Sequence, residues 1–198
     1  MSDSDGSPVL VVGVGPGLGL SIARRFGREG YPVALLSRRA DRHEGYLAAL
    51  RADGVAGISV TADVRDTTAV RGAVDEVSRR LGPVGTMYYG PGAADPSARP
   101  LSMEQVSASE LRSAMGYYVE PALELAQLLL PGMLERGRGT MLFATGVSAL
   151  VPLPGLGALA LTSAALRTYA LALNVALEPS GVYAGALTLG GLIRGGDI

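Results

Sequence analysis

Cysteine and tryptophan are absent, histidine occurs once, and aromatic residues make up 5% of the 198 positions. Without cysteine there is no disulfide framework, no thiolate metal site and no cysteine nucleophile. The single histidine, His43, stands among Asp41, Arg42 and Glu44. It is expected to be solvated, and no metal site can be assembled around it. An excess of one charge is lacking too: 17 basic and 18 acidic residues leave a net charge of −1. That removes the electrostatic footprint of a nucleic-acid binder. Disorder is excluded because 48% of residues are hydrophobic and only 18% charged. Residues 1–8 lack a positive segment followed by an apolar one, so no secretory signal is read and a cytoplasmic location is expected. Residues 1–7 are expected to form a flexible tail.

One stretch, residues 153–177, is apolar enough to raise the question of a membrane span. It carries one charge, Arg167, and is interrupted by Pro154, Gly155 and Gly157. Thr162, Ser163, Thr168, Tyr169 and Asn174 lie within it. A helix buried in a core or a subunit interface is the better reading, with no membrane association. The length gives a prior of about one domain at ~150 residues each. A folded chain of this mass buries about 70% of its unfolded surface, enough for one sizeable core. Glycine is abundant, at 28 of 198 residues, about twice the usual ~7%. Tight turns or close backbone approaches must therefore matter.

Two hydrophobic periods alternate along the chain. Continuous apolar runs at residues 8–13, 32–36, 57–62, 84–89, 140–144 and 182–189 read as strands covered on both faces. Helical spacing appears at residues 17–30, 41–52, 66–81, 107–136 and 156–177, with breaks or bends near Pro121 and Pro131. Asp66 suits a helix N-cap. Residues 90–100 form a loop rich in glycine and proline. This alternation predicts right-handed βαβ units: a Rossmann-type α/β fold, doubly wound, with a parallel sheet of order 3-2-1-4-5-6 and helices on both faces. In such sheets ligands sit beyond the carboxyl ends of the strands, at the topological switch point.

The first strand-to-helix loop is Gly13-Val14-Gly15-Pro16-Gly17-Leu18-Gly19. Glycines there permit a tight turn and let a pyrophosphate approach the backbone, while the helix N-terminus offers free N–H groups. The spacing G-x-G-x-x-G fails, because Leu18 stands where its third glycine belongs. The spacing G-x-x-x-G-x-G fits at Gly13, Gly17 and Gly19.

That second spacing resembles the short-chain dehydrogenase/reductase family, and the resemblance covers nearly the whole chain. Asp63-Val64 after strand three matches the family's pair beside the adenine. Tyr89-Gly90-Pro91-Gly92 lies where the family has N-A-G. Residues 128–139 look like its approach to strand five, and residues 189–193, with Gly191 and Ile193, lie where it has P-G-x-I. After strand two the chain reads Ser37-Arg38-Arg39, with no carboxylate for a ribose 2′-hydroxyl. Arginine can hold a 2′-phosphate through paired, charge-assisted hydrogen bonds. The resemblance therefore implies NADP(H) rather than NAD(H), bound by residues including Gly13, Gly15, Gly17, Leu18, Gly19, Ser37, Arg38, Arg39, Asp63, Val64, Gly90, Gly92, Gly191 and Ile193. No metal is expected.

The family's chemistry resides in a serine after strand five and a tyrosine and lysine spaced i, i+4 on the following helix. Those positions fall here on Gly146, Leu159 and Ser163, and the family's helix-four asparagine falls near Tyr118. Leucine donates no proton, and serine carries no charge to lower a phenol pKa. Tyr88, Tyr89, Tyr117 and Tyr118 are expected to border the cleft, Thr145 and Ser148 follow strand five, and Glu120 lies near Tyr117. Among these, Tyr118, Tyr89, Thr145 and Ser148 are the candidate catalytic groups. Three functions follow. One is an enzyme on a small apolar substrate with non-standard, non-redox chemistry, such as a cyclase, isomerase or dehydratase. Another is an NADPH-dependent carbonyl reductase with an atypical proton donor. The third is a non-catalytic nucleotide-binding or partner subunit. Leu153, Leu156 and Leu159 would line an apolar pocket. The apolar stretches 123–130 and 156–177 suit a homodimer or homotetramer. The family's further strand and substrate lid, beyond the sixth strand, are not represented before Ile198.

Overall fold

Three runs that read as buried on both faces become the middle of a sheet. In the computed structural model, which describes residues 6–91, 101–191 and 193, the chain order is β1 (Val9–Val12), α1 (Leu18–Arg28), β2 (Val33–Ser37), α2 (His43–Ala52), β3 (Gly57–Thr61) and α3 (Thr67–Leu81). There follow β4 (Thr86–Tyr89), α4 (Ala108–Tyr118), α5 (Glu120–Glu135), β5 (Gly139–Gly146), α6 (Gly157–Leu177) and β6 (Val182–Leu189). The six strands run parallel in the order β3-β2-β1-β4-β5-β6, as the alternation predicts. The step from β1 across to β4 is the topological switch.

Each face of the sheet has its own core. Val9, Val11, Val33, Leu35 and Tyr88 point one way and pack with Leu20, Ala23, Tyr46 and Leu50 of α1 and α2. Leu10, Val12, Leu36, Met87 and Tyr89 point the other way and pack with Val74 and Val77 of α3, Leu125 and Met133 of α5, and Leu166 and Ala170 of α6. The central strands β1 and β4 are buried at every residue, whereas β5 alternates. Its α6 side is covered and Leu142 and Ala144 opposite are half-buried.

Local chemistry sets the helix ends. Asp66 accepts from the Ala69 N–H at 3.0 Å and caps α3. Ser107 and Glu110 form a reciprocal capping box at the start of α4. The long helical stretch divides at Val119, and Pro121 then occupies the first turn of α5, where its missing N–H costs nothing. Pro131 sits inside α5 without ending it, its ring at the surface. The stretch that raised the membrane question becomes α6. It lies against β5 and β6 on one side and packs on α4.

Three expectations are corrected. The second helix begins at His43, after a tight turn over Ala40–Arg42. His43 itself is buried rather than solvated, because its ring turns under the end of β2 and meets the Ser37 hydroxyl at 2.8 Å. Ser7, expected in a tail, is half-buried against Gly85, where a Cβ would lie 2.4 Å from its own. Residues 1–5 and the Gly92–100 part of the loop after β4 lie outside the described residues.

His43 gives a pH test. Burial, the dominant cause, lowers its pKa below the usual 6.5. The unfolded chain then binds the proton more readily, so stability falls as pH drops through 6.5. Thermal melts between about pH 8 and pH 5 should show the wild type losing stability relative to His43→Gln below that point. Parallel curves would contradict the buried imidazole.

Candidate functional site

The site begins where the chain leaves β1. Gly13 adopts φ +81, a left-handed conformation that side chains resist. Its N–H and that of Val14 donate to Leu36 O at 2.9 and 3.2 Å, while the Gly90 N–H donates to Val12 O at 3.0 Å. The exits of β1, β2 and β4 are thus tied into one surface. A Cβ on Gly13 would lie 2.4 Å from the Pro91 backbone, and one on Gly19 would lie 2.9 Å from Val14 Cα. The turn closes as Leu20 N–H donates to Gly15 O at 3.0 Å and Ser21 N–H to Gly17 O at 3.1 Å. No side chain caps α1 and no acidic residue stands in its first turn. The positive end of the helix is therefore uncompensated, over a glycine turn that leaves the backbone bare. Such a terminus accepts an oxyanion.

Charge gathers beside this turn. Arg38 and Arg39 after β2 are exposed. Arg39 is paired to Asp41 at 2.8 Å. The Arg38 guanidinium lies 5.7 Å from the Tyr117 ring centre, and Arg65 approaches the same ring at 5.3 Å. Arg65 also holds Asp63 through two contacts, at 2.6 and 3.0 Å. That hydrogen-bonded pair keeps the Asp63 carboxyl at about 2, well below its usual 3.8. Val64 beside it is buried. Sequence reading singled out Asp63 and missed Arg65, although it stands two residues on; only the fold brings it to Tyr117.

Across the switch, hydroxyls collect at the end of β5. Thr145 is buried, its hydroxyl 3.5 Å from Leu187 O and from the Thr188 hydroxyl. A Cβ on Gly146 would lie 3.2 Å from Ser148 Oγ and 3.5 Å from Ser163 Oγ. Ser148 Oγ is buried with no partner among the described residues, and Ser163 is buried on α6. Leu159, one turn before Ser163, is half-buried. Gly146, Ser148 and Ser163 therefore come together.

Residues 7–193 match the family model for short chain dehydrogenase. The chain belongs to the short-chain dehydrogenase family. It is 28% identical over 185 residues to a short chain dehydrogenase of Pseudocercospora fijiensis, covering 93% of this chain and 59% of that one. It is 30% identical over 139 residues to the ketoacyl reductase HetN of a Nostoc species, covering 70% of this chain and 47% of that one. The chain thus spans about half to three-fifths of these relatives. A variant of actinorhodin polyketide ketoreductase solved with NADPH superposes with a TM-score of 0.82 at 25% identity, over 94% of this chain and 70% of that one.

Two of the tyrosines part company with expectation. Tyr88 and Tyr89 do not border the cleft: each is 1% exposed. β4 is covered on both faces, so one ring enters each core. Burial pushes the Tyr88 hydroxyl up to about 12 and the Tyr89 hydroxyl higher still. So buried, the Tyr89 hydroxyl lies out of reach of a ligand in the cleft. Tyr117 and Tyr118, at the end of α4, are half-buried with ring centres 4.8 Å apart. Gly90 is half-buried beside the glycine turn, Gly191 is exposed and Ile193 half-buried, while Gly92 lies outside the described residues. One sequence fact sharpens the chemistry. All 17 basic residues are arginines, so no lysine anywhere can stand beside a tyrosine.

Two substitutions test this geometry. Gly13→Ala should destabilise the fold, by about 1–2 kcal/mol for the left-handed backbone alone and more for the contact with Pro91. Tyr89 Oη is buried without a partner among the described residues, so Tyr89→Phe should stabilise by about 1 kcal/mol. Urea unfolding measures both. A destabilised Tyr89→Phe would reveal a hydrogen bond and return that hydroxyl to the candidate groups.

Proposed function

We propose that this chain binds NADP(H) and acts on a small apolar substrate without the proton relay of its family. The residues fit the cofactor. The bare glycine turn and uncapped helix suit a pyrophosphate, held by the backbone of residues 13–19. Arg38, already ordered over Tyr117, suits the 2′-phosphate, with Ser37 beside it and Asp63, Val64, Gly90, Gly191 and Ile193 around the cleft. Arg39 contributes less than Arg38, since Asp41 already neutralises it. When bound, the nicotinamide supplies hydride transfer.

One observation carries the rest of the reading: the Gly146 and Ser163 positions meet beside Ser148, Leu159 stands one turn before Ser163 on α6, and the sequence has no lysine. Ser148 and Ser163 can donate hydrogen bonds to a carbonyl or alkoxide oxygen and hold it in place. Neither hydroxyl, unassisted, is acidic enough to deliver a proton near neutral pH. Leu153, Leu156 and Leu159, all half-buried, supply an apolar wall that excludes water. Orientation and desolvation suit a non-redox rearrangement, such as cyclisation, isomerisation or dehydration. Names of the relatives as reductases and dehydrogenases support an oxidoreductase ancestry. A second reading, a carbonyl reductase with an atypical donor, is favoured by Tyr118, half-buried at the end of α4. The exposed apolar side chains of α6, Leu161, Leu171 and Val175, support assembly as a homodimer or homotetramer.

Calorimetric titration tests the cofactor assignment. NADP⁺ should bind about tenfold or more tightly than NAD⁺, and Arg38→Gln should erase the difference by removing a charge-assisted contact. Equal affinities in the wild type would contradict it. The chemistry is tested by NADPH absorbance with a panel of ketones and quinones. Turnover should be absent, since loss of a general acid typically costs 10²–10⁴-fold. The double variant Leu159→Tyr with Ser163→Lys should recover weak reduction, because the two side chains would stand one turn apart. Robust wild-type turnover abolished by Tyr118→Phe would establish the second reading instead.

A further inference from the structure

The one histidine of the chain stands behind the residue that ends β2. His43 is 6% exposed, and its Nε2 meets Ser37 Oγ at 2.8 Å. Ser37 is half-buried, so part of it is open to solvent. It continues the row of Val33 and Leu35 along β2, the row that faces α1 and α2. The carbonyl just before it, Leu36 O, receives the Gly13 and Val14 N–H groups of the glycine turn. Arg38, ordered over Tyr117, follows it directly. Ser37 is therefore tied to the bare turn on one side and to Arg38 on the other, with a buried imidazole at its back.

A hydroxyl has one proton to give, and the imidazole decides where it points. With its proton on Nε2, the neutral ring donates to Ser37 Oγ, and the Ser37 O–H is released toward solvent. With the proton on Nδ1 instead, Nε2 accepts and the Ser37 proton is spent inward. The first arrangement alone lets Ser37 donate to an anion. Protonation of the ring fixes that same arrangement, since both nitrogens then donate. Asp41, on the turn before α2, favours the charged ring, while burial opposes it and dominates. Arg39 and Arg42 share that turn, Glu44 adjoins His43 on α2, and Arg38 adjoins Ser37. β3 places the uncharged Thr61 beside Ser37 and is followed by Asp63 and Arg65. On α1, Arg24 and Arg28 turn to Asp53 at the far end of α2, and Arg25 turns to Glu29.

We propose that His43 is a positioning residue: acting through Ser37, it aims a hydroxyl at the 2′-phosphate of NADP(H) and so sharpens selection against NAD(H). This rests on the cofactor assignment above and adds to Arg38 a neutral donor set by a buried ring. His43 itself, being buried, does not touch the cofactor.

Calorimetric titration of NADP⁺ and NAD⁺ against the wild type, Ser37→Ala, His43→Leu and His43→Gln tests this. Ser37→Ala and His43→Leu should each lower the NADP⁺ to NAD⁺ affinity ratio about fivefold. Their double variant should lose no more than either alone, because both act through one hydroxyl. His43→Gln keeps an N–H donor for Ser37 Oγ and should keep the ratio. NAD⁺ affinity should hold throughout, which a general disturbance of the fold would not allow. The single histidine gives a second readout that needs no variant. Its imidazole NMR titration midpoint should rise when 2′-AMP binds, since a phosphate beside Ser37 favours the protonated ring, and should move less with 5′-AMP. A wild type indifferent between the two dinucleotides overturns the cofactor assignment and this proposal with it. A wild type that prefers NADP⁺ overturns this proposal alone if Ser37→Ala or His43→Leu keeps the preference, or if 2′-AMP leaves the midpoint unmoved.

Discussion

The backbone crossing at Gly13 is the constraint on which the site depends. Its left-handed turn lets two successive N–H groups reach Leu36 O while the Gly90 N–H reaches Val12 O. Three strand ends are thereby fixed around one bare turn, with the start of α1 directly behind it. No side chain contributes to this arrangement, so it survives wholesale change in the residues around it. The turn is backbone geometry, whereas the positions at the end of β5 and on α6, Gly146, Leu159 and Ser163, differ in side-chain identity alone.

The sheet order, the alternation of strands and helices, and the glycine turn were legible in the sequence because each rests on local rules. Period-2 or continuous apolar runs give strands, 3.6-residue spacing gives helices, and glycine spacing gives the turn. Burial of individual polar residues was not legible. His43 stands among three charged neighbours and looks solvated, yet its ring is drawn under β2 by the Ser37 hydroxyl. Tyr88 and Tyr89 were assigned to the cleft from their place at a strand end. The continuous apolar run around them already implied a strand covered on both faces, where both rings must enter a core. Arg65 could have been suspected from its closeness to Asp63, but its approach to Tyr117 joins α4 to the end of β3, a contact no local pattern contains.

The chemistry is read best by subtraction. Lysine is absent from the whole chain, so no tyrosine here stands beside a lysine ammonium group. What gathers there is Gly146 between Ser148 and Ser163, with Leu159 one turn before Ser163 on α6. The space a serine side chain would occupy at Gly146 is approached by the Ser148 hydroxyl.

A crystal structure of the chain grown with NADP⁺ tests the central claim most directly. The account predicts the pyrophosphate on the backbone of residues 13–19, the 2′-phosphate against Arg38, and the nicotinamide facing Leu159 and Ser163 with no ionisable side chain within hydrogen-bonding distance of its reactive carbon. A cofactor bound elsewhere, or a tyrosine hydroxyl brought to the nicotinamide, would contradict it.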